Sequence, residues 1–457
     1  MDEIRVLSPT AILGYGYPRA SLEEGMRRKP HVIAVDGGST DGGPYYLGIE
    51  PGASGGDASA FIEMLSSDVG PLLEAACAAR IPLIIGSAGF AGAELHLQAT
   101  VMVVRNLAEQ LGLHFRMAVI HAEIEKEYIK ENLREGKVSP LGPVPQLTEK
   151  EIDASVRIVG QMGVEPFIKA LEADAQVIVA GRSNDPSMFA AIPFIEGFDK
   201  GLSLHMAKIL ECGAIAAEPG SGSDAVMGTL RRDHFLVEPL NPERVCTTTS
   251  VAAHSLYEKS DPLHLYGPGG MVDMSDVRFE QYNKRTVKVS GSRYVPAHVY
   301  TIKLEGSKRI GYRTICVAGV RDPGTIQHMG ELIREARLRV NEKFGKEADA
   351  YQLIFHVYGR NGVMGDLETQ EGSCGHELGV VIEAVAPTQA LATGVCGYAH
   401  TILLHYGFAG RISTAGNLAF PFSPLDIPAG PVYEFNVYHL MEEPDPCKLF
   451  PMDIIEV

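Results

Sequence analysis

The sequence predicts an α/β protein, on two observations. Through the first half of its 457 residues, short apolar runs of strand length alternate with longer stretches of helical periodicity. Beyond about residue 235 the texture changes: turn-forming residues multiply and the strand candidates become alternating, as in antiparallel pairing. Arg5 to Leu7 reads as the opening strand and Ser21 to Arg28 as a short helix. Five apolar runs then head toward polar clusters: His31 to Val35, Ile81 to Ile85, Met117 to Ile120, Val177 to Ala180, and Ala214 to Ala217. Between them, helices are expected at Asp57 to Ala79, where Asp57 supplies an acidic cap, and at Ala93 to Leu111, Glu123 to Arg134 and Thr148 to Ala173. The last opens on Thr148, Glu149, Lys150 and Glu151, in the form of a capping box.

This alternation is that of a doubly wound, mostly parallel sheet of Rossmann-like kind, assigned to residues 1–238 with ligand loops at the strand carboxyl ends. Residues 239–457 are expected to form an α+β domain with antiparallel strands. Its strand candidates are Thr286 to Val289, Val299 to Leu304, Gly311 to Val317, Gln352 to Val357 and Leu378 to Ala384, with helices at Pro323 to Phe344 and Pro387 to Leu404. Tyr266 to Met271, rich in glycine, reads as a flexible interdomain loop or a plain turn.

Composition narrows the function. A formal charge of -17 argues against a nucleic-acid partner, because neutralising phosphates takes a basic face. No apolar stretch is long enough to span a membrane, and the first residues lack the basic, apolar pattern of a secretory leader, so a cytoplasmic protein is expected. The seven scattered cysteines, with no Cys-x-x-Cys pair, read as reduced thiols.

In an open parallel sheet, ligands bind beyond the carboxyl ends of the strands, which is where these polar clusters fall. Asp36 to Gly43 holds four glycines and two carboxylates in eight residues. Here Gly37, Gly38, Ser39 and Thr40 are candidate substrate contacts, and Asp36 and Asp41 candidate proton shuttles or cation ligands. A tight turn capped by its aspartates is the alternative. Gly86 to Gly92 has the spacing G-x-x-G-x-x-G at a strand-to-helix junction, so Ser87 and Gly89 are placed at an anion site. It lacks the dinucleotide fingerprint and the lysine of a phosphate loop, which disfavours NAD and ATP. Glycines packing a helix would give the same spacing.

Gly181 to Pro186 offers Arg182 as a fork for a carboxylate or phosphate, Ser183 and Asn184 as further contacts, and Asp185 as a carboxylate. A buried Arg–Asp pair with a structural task is the competing reading. Glu218 is a candidate proton carrier, and Ser221 and Ser223 belong to an anion-binding nest of glycine and serine. His121 with Glu123, and Cys374 with His376, are weaker pairs. The aspartates leave room for a divalent cation, but no metal-ligand spacing is recognised and no cofactor is specified.

The clusters Val35 to Pro44, Gly86 to Gly89, Gly181 to Asp185 and Gly267 to Gly270 together resemble the acyclic terpene utilisation family, AtuA. The resemblance extends over nearly the whole chain. It implies a catabolic protein working among enzymes of branched acids or their CoA thioesters. Some members of that family carry a small extra carboxyl-terminal domain, which implies a separately encoded small subunit as partner here.

The expectation is therefore an enzyme, a hydratase, dehydratase or isomerase, acting by acid/base proton transfer on a small branched carboxylate or acyl-CoA. Asp36, Asp41, Asp185 and Glu218 are its candidate catalytic residues. A noncatalytic ligand-binding or scaffold subunit of a catabolic complex is the alternative. A homo-oligomer is expected on general grounds.

Overall fold

Four of the five apolar runs of the first half form strands buried on both faces, which is why they are continuous instead of alternating. The computed structural model describes residues 1–49, 58–345, 350–370, 372 and 374–457. Its elements begin β1 (Glu3–Ser8), α1 (Arg19–Arg27), β2 (Val32–Asp36), α2 (Pro44–Gly48), α3 (Ala58–Ala79), β3 (Leu83–Gly86), α4 (Glu94–Leu111) and β4 (Arg116–Ile120). They continue α5 (Lys126–Arg134), β5 (Val138–Pro140), α6 (Glu149–Ala154), β6 (Arg157–Gly160), α7 (Glu165–Glu172), β7 (Val177–Ala180), α8 (Ser187–Ile195) and α9 (Lys200–Leu210). Then come β8 (Val226–Arg231), β9 (Phe235–Pro239), α10 (Thr248–Ser255), β10 (His264–Gly267), β11 (Gly270–Asp273), β12 (Arg278–Gln281), β13 (Val287–Ser290) and β14 (Arg293–Pro296). The chain closes with β15 (Thr301–Val320), α11 (Pro323–Phe344), β16 (Gln352–Tyr358), β17 (Leu378–Ala386), α12 (Gln389–His405), β18 (Ile427–Glu442) and β19 (Met452–Glu456). Asp57, expected to cap α3, lies outside the described residues.

The chain divides into two units, Met1–Lys308 with Phe435–Val457, and Arg309–Glu434. The first is built on a ten-stranded sheet of order β12-β13-β9-β8-β1-β2-β3-β7-β4-β19. Its centre, β1-β2-β3-β7-β4, is parallel throughout, whereas β8, β9, β13 and β12 on one side and β19 on the other pair antiparallel. Alternate residues of the central strands feed two cores. Val32, Ala34, Ile84 and Ile178 pack with Phe167, Phe189 and Met206 on the α7–α9 side. Ile33, Val35, Ile85 and Val179 pack with Leu72, Leu97 and Val104 on the α3–α4 side. Asp199 caps α9 by accepting from Leu202 N at 2.8 Å.

In the second unit, β16, β17 and the carboxyl-terminal part of β15 form an antiparallel sheet. One core joins it to α11 and α12 through Cys316, Val380, Met329, Leu332, Val395 and Ala399. Asp322 and Thr388 cap the two helices, and Pro323 takes the first helical position of α11.

The molecule is thus a mixed α/β protein with a large mixed sheet and additional sheets, less parallel than its apolar runs imply. The texture change near residue 235 coincides with the antiparallel strands β8 and β9, while the division between units falls at 308/309. Ala214 to Ala217 is a series of turns, not a strand. Thr148 to Ala173 is not one helix, since β6 interrupts it between α6 and α7. Thr148 does cap α6, accepting from Glu151 N at 3.2 Å, but the Glu151 carboxylate takes Lys308 at 2.8 Å instead of closing the box. Val299 to Leu304 and Gly311 to Val317 fuse into the 20-residue β15. Tyr266 to Met271 is the tip of the β10–β11 hairpin within the first unit, not an interdomain loop. No helix among the described residues is long and apolar enough to cross a membrane.

Ile178 sits fully buried on β7, paired between Ile84 and Ala118. Ile178→Ala is expected to cost about 2–5 kcal/mol, measured as a shift of the urea midpoint at unchanged slope. A loss below about 1 kcal/mol would contradict a core this tightly closed on both faces.

Candidate functional site

Asp36 ends β2, and the chain leaves the strand through Gly37 and Gly38 because no side chain fits there. Gly37 N donates to Gly86 O at 2.7 Å, and Phe90 N donates to Gly37 O at 2.9 Å, locking the loops after β2 and β3 together. A Cβ on Gly38, whose φ is +141°, would stand 2.3 Å from the Phe90 Cα. Ser39 then accepts from Asp41 N at 3.2 Å and starts a 3-10 turn over Thr40–Gly42, in which Thr40 is buried.

This loop forms one wall of a cavity of about 370 Å³ in the first unit. Five carboxylates line it: Asp36 at the end of β2 and Asp41 after it, Asp185 after β7, Glu211 after α9 and Glu258 after α10. Ser39 and Gly42 also face it, and Tyr46 and Phe90, stacked with centroids 4.9 Å apart, add an aromatic wall. The loops after β2 and β7 are therefore brought together as the sheet dictates, joined by Glu211 and Glu258 from outside the sheet.

The remaining candidates are turned elsewhere. Arg182 is 1% exposed and does not face the cavity. Its Nε donates to Glu305 at 2.8 Å, and its Nη1 donates to Asp185 at 2.9 Å, to Ser183 O at 2.8 Å and to Ser87 Oγ at 3.3 Å. As a clamp for a substrate anion it is already occupied. Ser87 and Ser183 are fully buried and bond each other, Ser87 N donating to Ser183 Oγ at 3.0 Å. The amides of Ser87, Ala88, Phe90 and Ala91 donate to carbonyls of Gly181, Ala180, Gly37 and Gly89. The Gly86 loop, Gly89 included, thus packs against its neighbours instead of presenting these N–H groups to an anion. Asn184 faces a small crevice beside Gly267 and Lys200.

Glu218 is also off the cavity wall, since the turns before it do not deliver it to a strand end. It accepts from Thr247 Oγ1 at 2.6 Å. Ser221 accepts from Ser223 N at 3.1 Å, and their loop is organised by fully buried Asp224, which accepts from Ser21, Asn241 and Arg244. His121 lies between Glu94 at 2.8 Å and Asp453 at 3.2 Å, while Glu123 accepts from Glu94 N. Cys374 and His376 belong to the second unit. Among the described residues, no group of three or more His, Cys, Asp or Glu is arranged to hold a metal ion.

Burial decides the charge states. Desolvation, reinforced by the charge of Asp185, raises the Asp36 carboxyl well above its usual value, against the pull of Arg182 and the Gly38 amide. Desolvation also lifts Glu211, to about 8, outweighing its ion pair with Lys208. One Glu211 oxygen, Oε2, is buried without a hydrogen-bond partner. Burial raises the Cys212 thiol beside it, so this cysteine is kept from the thiolate form. Glu305 behaves oppositely: burial opposes its charge, but Arg182 and Lys303 overcome that and hold it down at about 2. The Lys303 ammonium is 2.6 Å from Glu305 Oε1.

Glu211, Lys208, Glu258, Glu305 and Lys303 were not among the residues singled out from the sequence. A signal existed: Lys208 and Glu211 stand three apart in the otherwise apolar run from Met206 to Cys212, and Lys303 and Glu305 alternate with Ile302 and Leu304.

A mixed sheet whose parallel strand ends carry a carboxylate-lined cavity makes this a protein of the α/β class. The chain belongs to the acyclic terpene utilisation family: the family described as "Acyclic terpene utilisation family protein AtuA" matches residues 53–221 and 235–417. Membership points to involvement in acyclic terpene utilisation. No curated protein and no solved structure matches the chain.

Two predictions follow from these charges. Glu305→Ala leaves Arg182 and Lys303 buried without their shared carboxylate and is expected to cost about 3–5 kcal/mol in denaturant unfolding, whereas Asp41→Asn, at an exposed carboxylate, should stay within about 0.5 kcal/mol. For Glu211 the folded value of about 8 lies above the usual 4.5. Its proton stabilises the fold fully at low pH, and that contribution is lost as pH rises toward 8. Glu211→Gln should therefore flatten the decline in stability between pH 4.5 and 8, read by thermal melting across that range. An unchanged slope in the variant would rule out a proton held on Glu211.

Proposed function

We propose that the carboxylate-lined cavity is the active site of an enzyme that moves protons on a small branched acyl group, as a hydratase, dehydratase or isomerase does. One observation carries this reading: a single cavity of about 370 Å³ joins Asp36 and Glu211, both biased toward the protonated form, with Asp185, whose oxygen is held by Arg182 at 2.9 Å. Neighbouring carboxyls in environments that push them apart are the arrangement from which acid and base roles are assigned. In the proposed step Asp185 removes a proton from the carbon next to the carbonyl. Asp36 or Glu211 donates to the carbonyl oxygen, giving an enol. Asp185 then delivers its proton to the γ carbon while the donor recovers the one on oxygen, which moves the double bond. Where a β-hydroxyl departs as water with the donor's proton, the proton on Asp185 passes through solvent back to the donor.

The same charges select between the two substrate classes. A free carboxylate entering this cavity would meet Asp41, Asp185 and Glu258, while among the described residues no Lys or Arg lines it. The neutral carbonyl of a thioester avoids that repulsion. Family membership in acyclic terpene utilisation supports a branched hydrocarbon portion for it.

The test is exchange of carbon-bound protons in deuterated water, using unsaturated branched acyl thioesters and their free acids. Thioesters are expected to exchange faster than the acids by at least about tenfold, and Asp185→Asn to slow exchange by about 10²–10⁴. Binding across the panel with no exchange by the wild-type protein would favour the noncatalytic ligand-binding subunit instead.

A further inference from the structure

A second cavity of about 440 Å³ lies in the first unit, within the size range of small-molecule sites. The β10–β11 hairpin and β14, which together make a three-stranded sheet, supply much of its wall. A Cβ on Gly270 would stand 2.5 Å from Val295 O, so glycine here lets the hairpin seat against β14. Leu141, Met271, Val295, Pro296, Ala297 and Leu440 make the lining largely apolar. Among the described residues no Asp or Glu lines it, in contrast to the first cavity.

Polar side chains on its wall are Gln161, Tyr266, His298, Thr301 and Lys303, of which Lys303 brings the ammonium. That side chain is 16% exposed, and its Nζ lies 2.6 Å from Glu305 Oε1 and 4.3 Å from the centre of the Tyr438 ring. Burial works against the ammonium, but Glu305 more than restores it, so the charge is kept. Glu305 meets this ammonium as a close ion pair, and an ammonium carries three N–H donors. An apolar chamber with one retained positive charge on its wall suits a ligand with a hydrocarbon body and one negative end.

We propose that this cavity binds an aliphatic carboxylate, its anionic end at Lys303 and its chain along Met271, Val295 and Leu440. The site is distinct from the carboxylate-lined cavity and does not depend on the chemistry proposed there. A cationic amphiphile would be repelled by Lys303. An alcohol of the same chain length would gain the apolar contacts alone.

The experiment is calorimetric titration of the full chain with n-octanoate, n-octanol and n-octyltrimethylammonium. Octanoate is expected to saturate one site per chain and to bind about tenfold or more tighter than octanol, the worth of one charge-assisted contact. The ammonium compound should not bind. Lys303→Met should bring octanoate down to the level of octanol. Met271→Trp, which fills the cavity and leaves the ion pairs intact, should abolish binding of both. Equal affinity for octanoate and octanol in the wild-type protein, or octanoate binding unchanged by Met271→Trp, overturns the proposal. Binding is read without turnover, so this result and the exchange experiment can fail separately.

Discussion

The structure around both cavities depends on a chain of four alternating charges, buried at its middle: Asp185, Arg182, Glu305 and Lys303, with successive contacts of 2.9, 2.8 and 2.6 Å. Arg182 and Glu305 are almost wholly out of water, at 2% and 1% side-chain exposure. Each would be intolerable alone, since an isolated ion in a low-dielectric interior costs several kcal/mol or more. Alternation of sign makes the set self-compensating. Glu305 comes from β15 and Arg182 from the loop after β7, so these pairs also fix where β15 lies against the carboxyl ends of the central strands.

The carboxyls of the first cavity depend on that arrangement. Arg182 is oriented by Glu305 and in turn holds Asp185, and the charge of Asp185 helps push the protons of Asp36 and Glu211 upward. Proton affinities in the cavity are thus set from behind its wall. The arginine that a sequence reader assigns to the substrate works on the protein's own carboxylates.

Local signals made the parallel centre legible. Runs such as Val32 to Val35 and Val177 to Ala180 are apolar throughout because helices cover both faces, and the glycines after them mark close approaches between loops. Asp36, Asp41 and Asp185 could be placed at one edge because they stand at or beyond the carboxyl ends of β2 and β7, parallel strands with only β3 between them. What escaped was non-local. The pairing of β19 with β4, or of β13 with β9, leaves no trace in the spacing of their own residues. Ala214 to Ala217 has the composition of a strand, but turns take it, so Glu218 is not carried to the sheet end. Glu211 and Glu305 lie in apolar surroundings where a single charge reads as incidental until its buried partner is known.

The loops after β2 and β3 are joined by two backbone hydrogen bonds and by a contact with no room for a methyl group. Separating these loops breaks both hydrogen bonds, so the segment that follows the acid at the end of β2 is tied to the segment that carries Phe90.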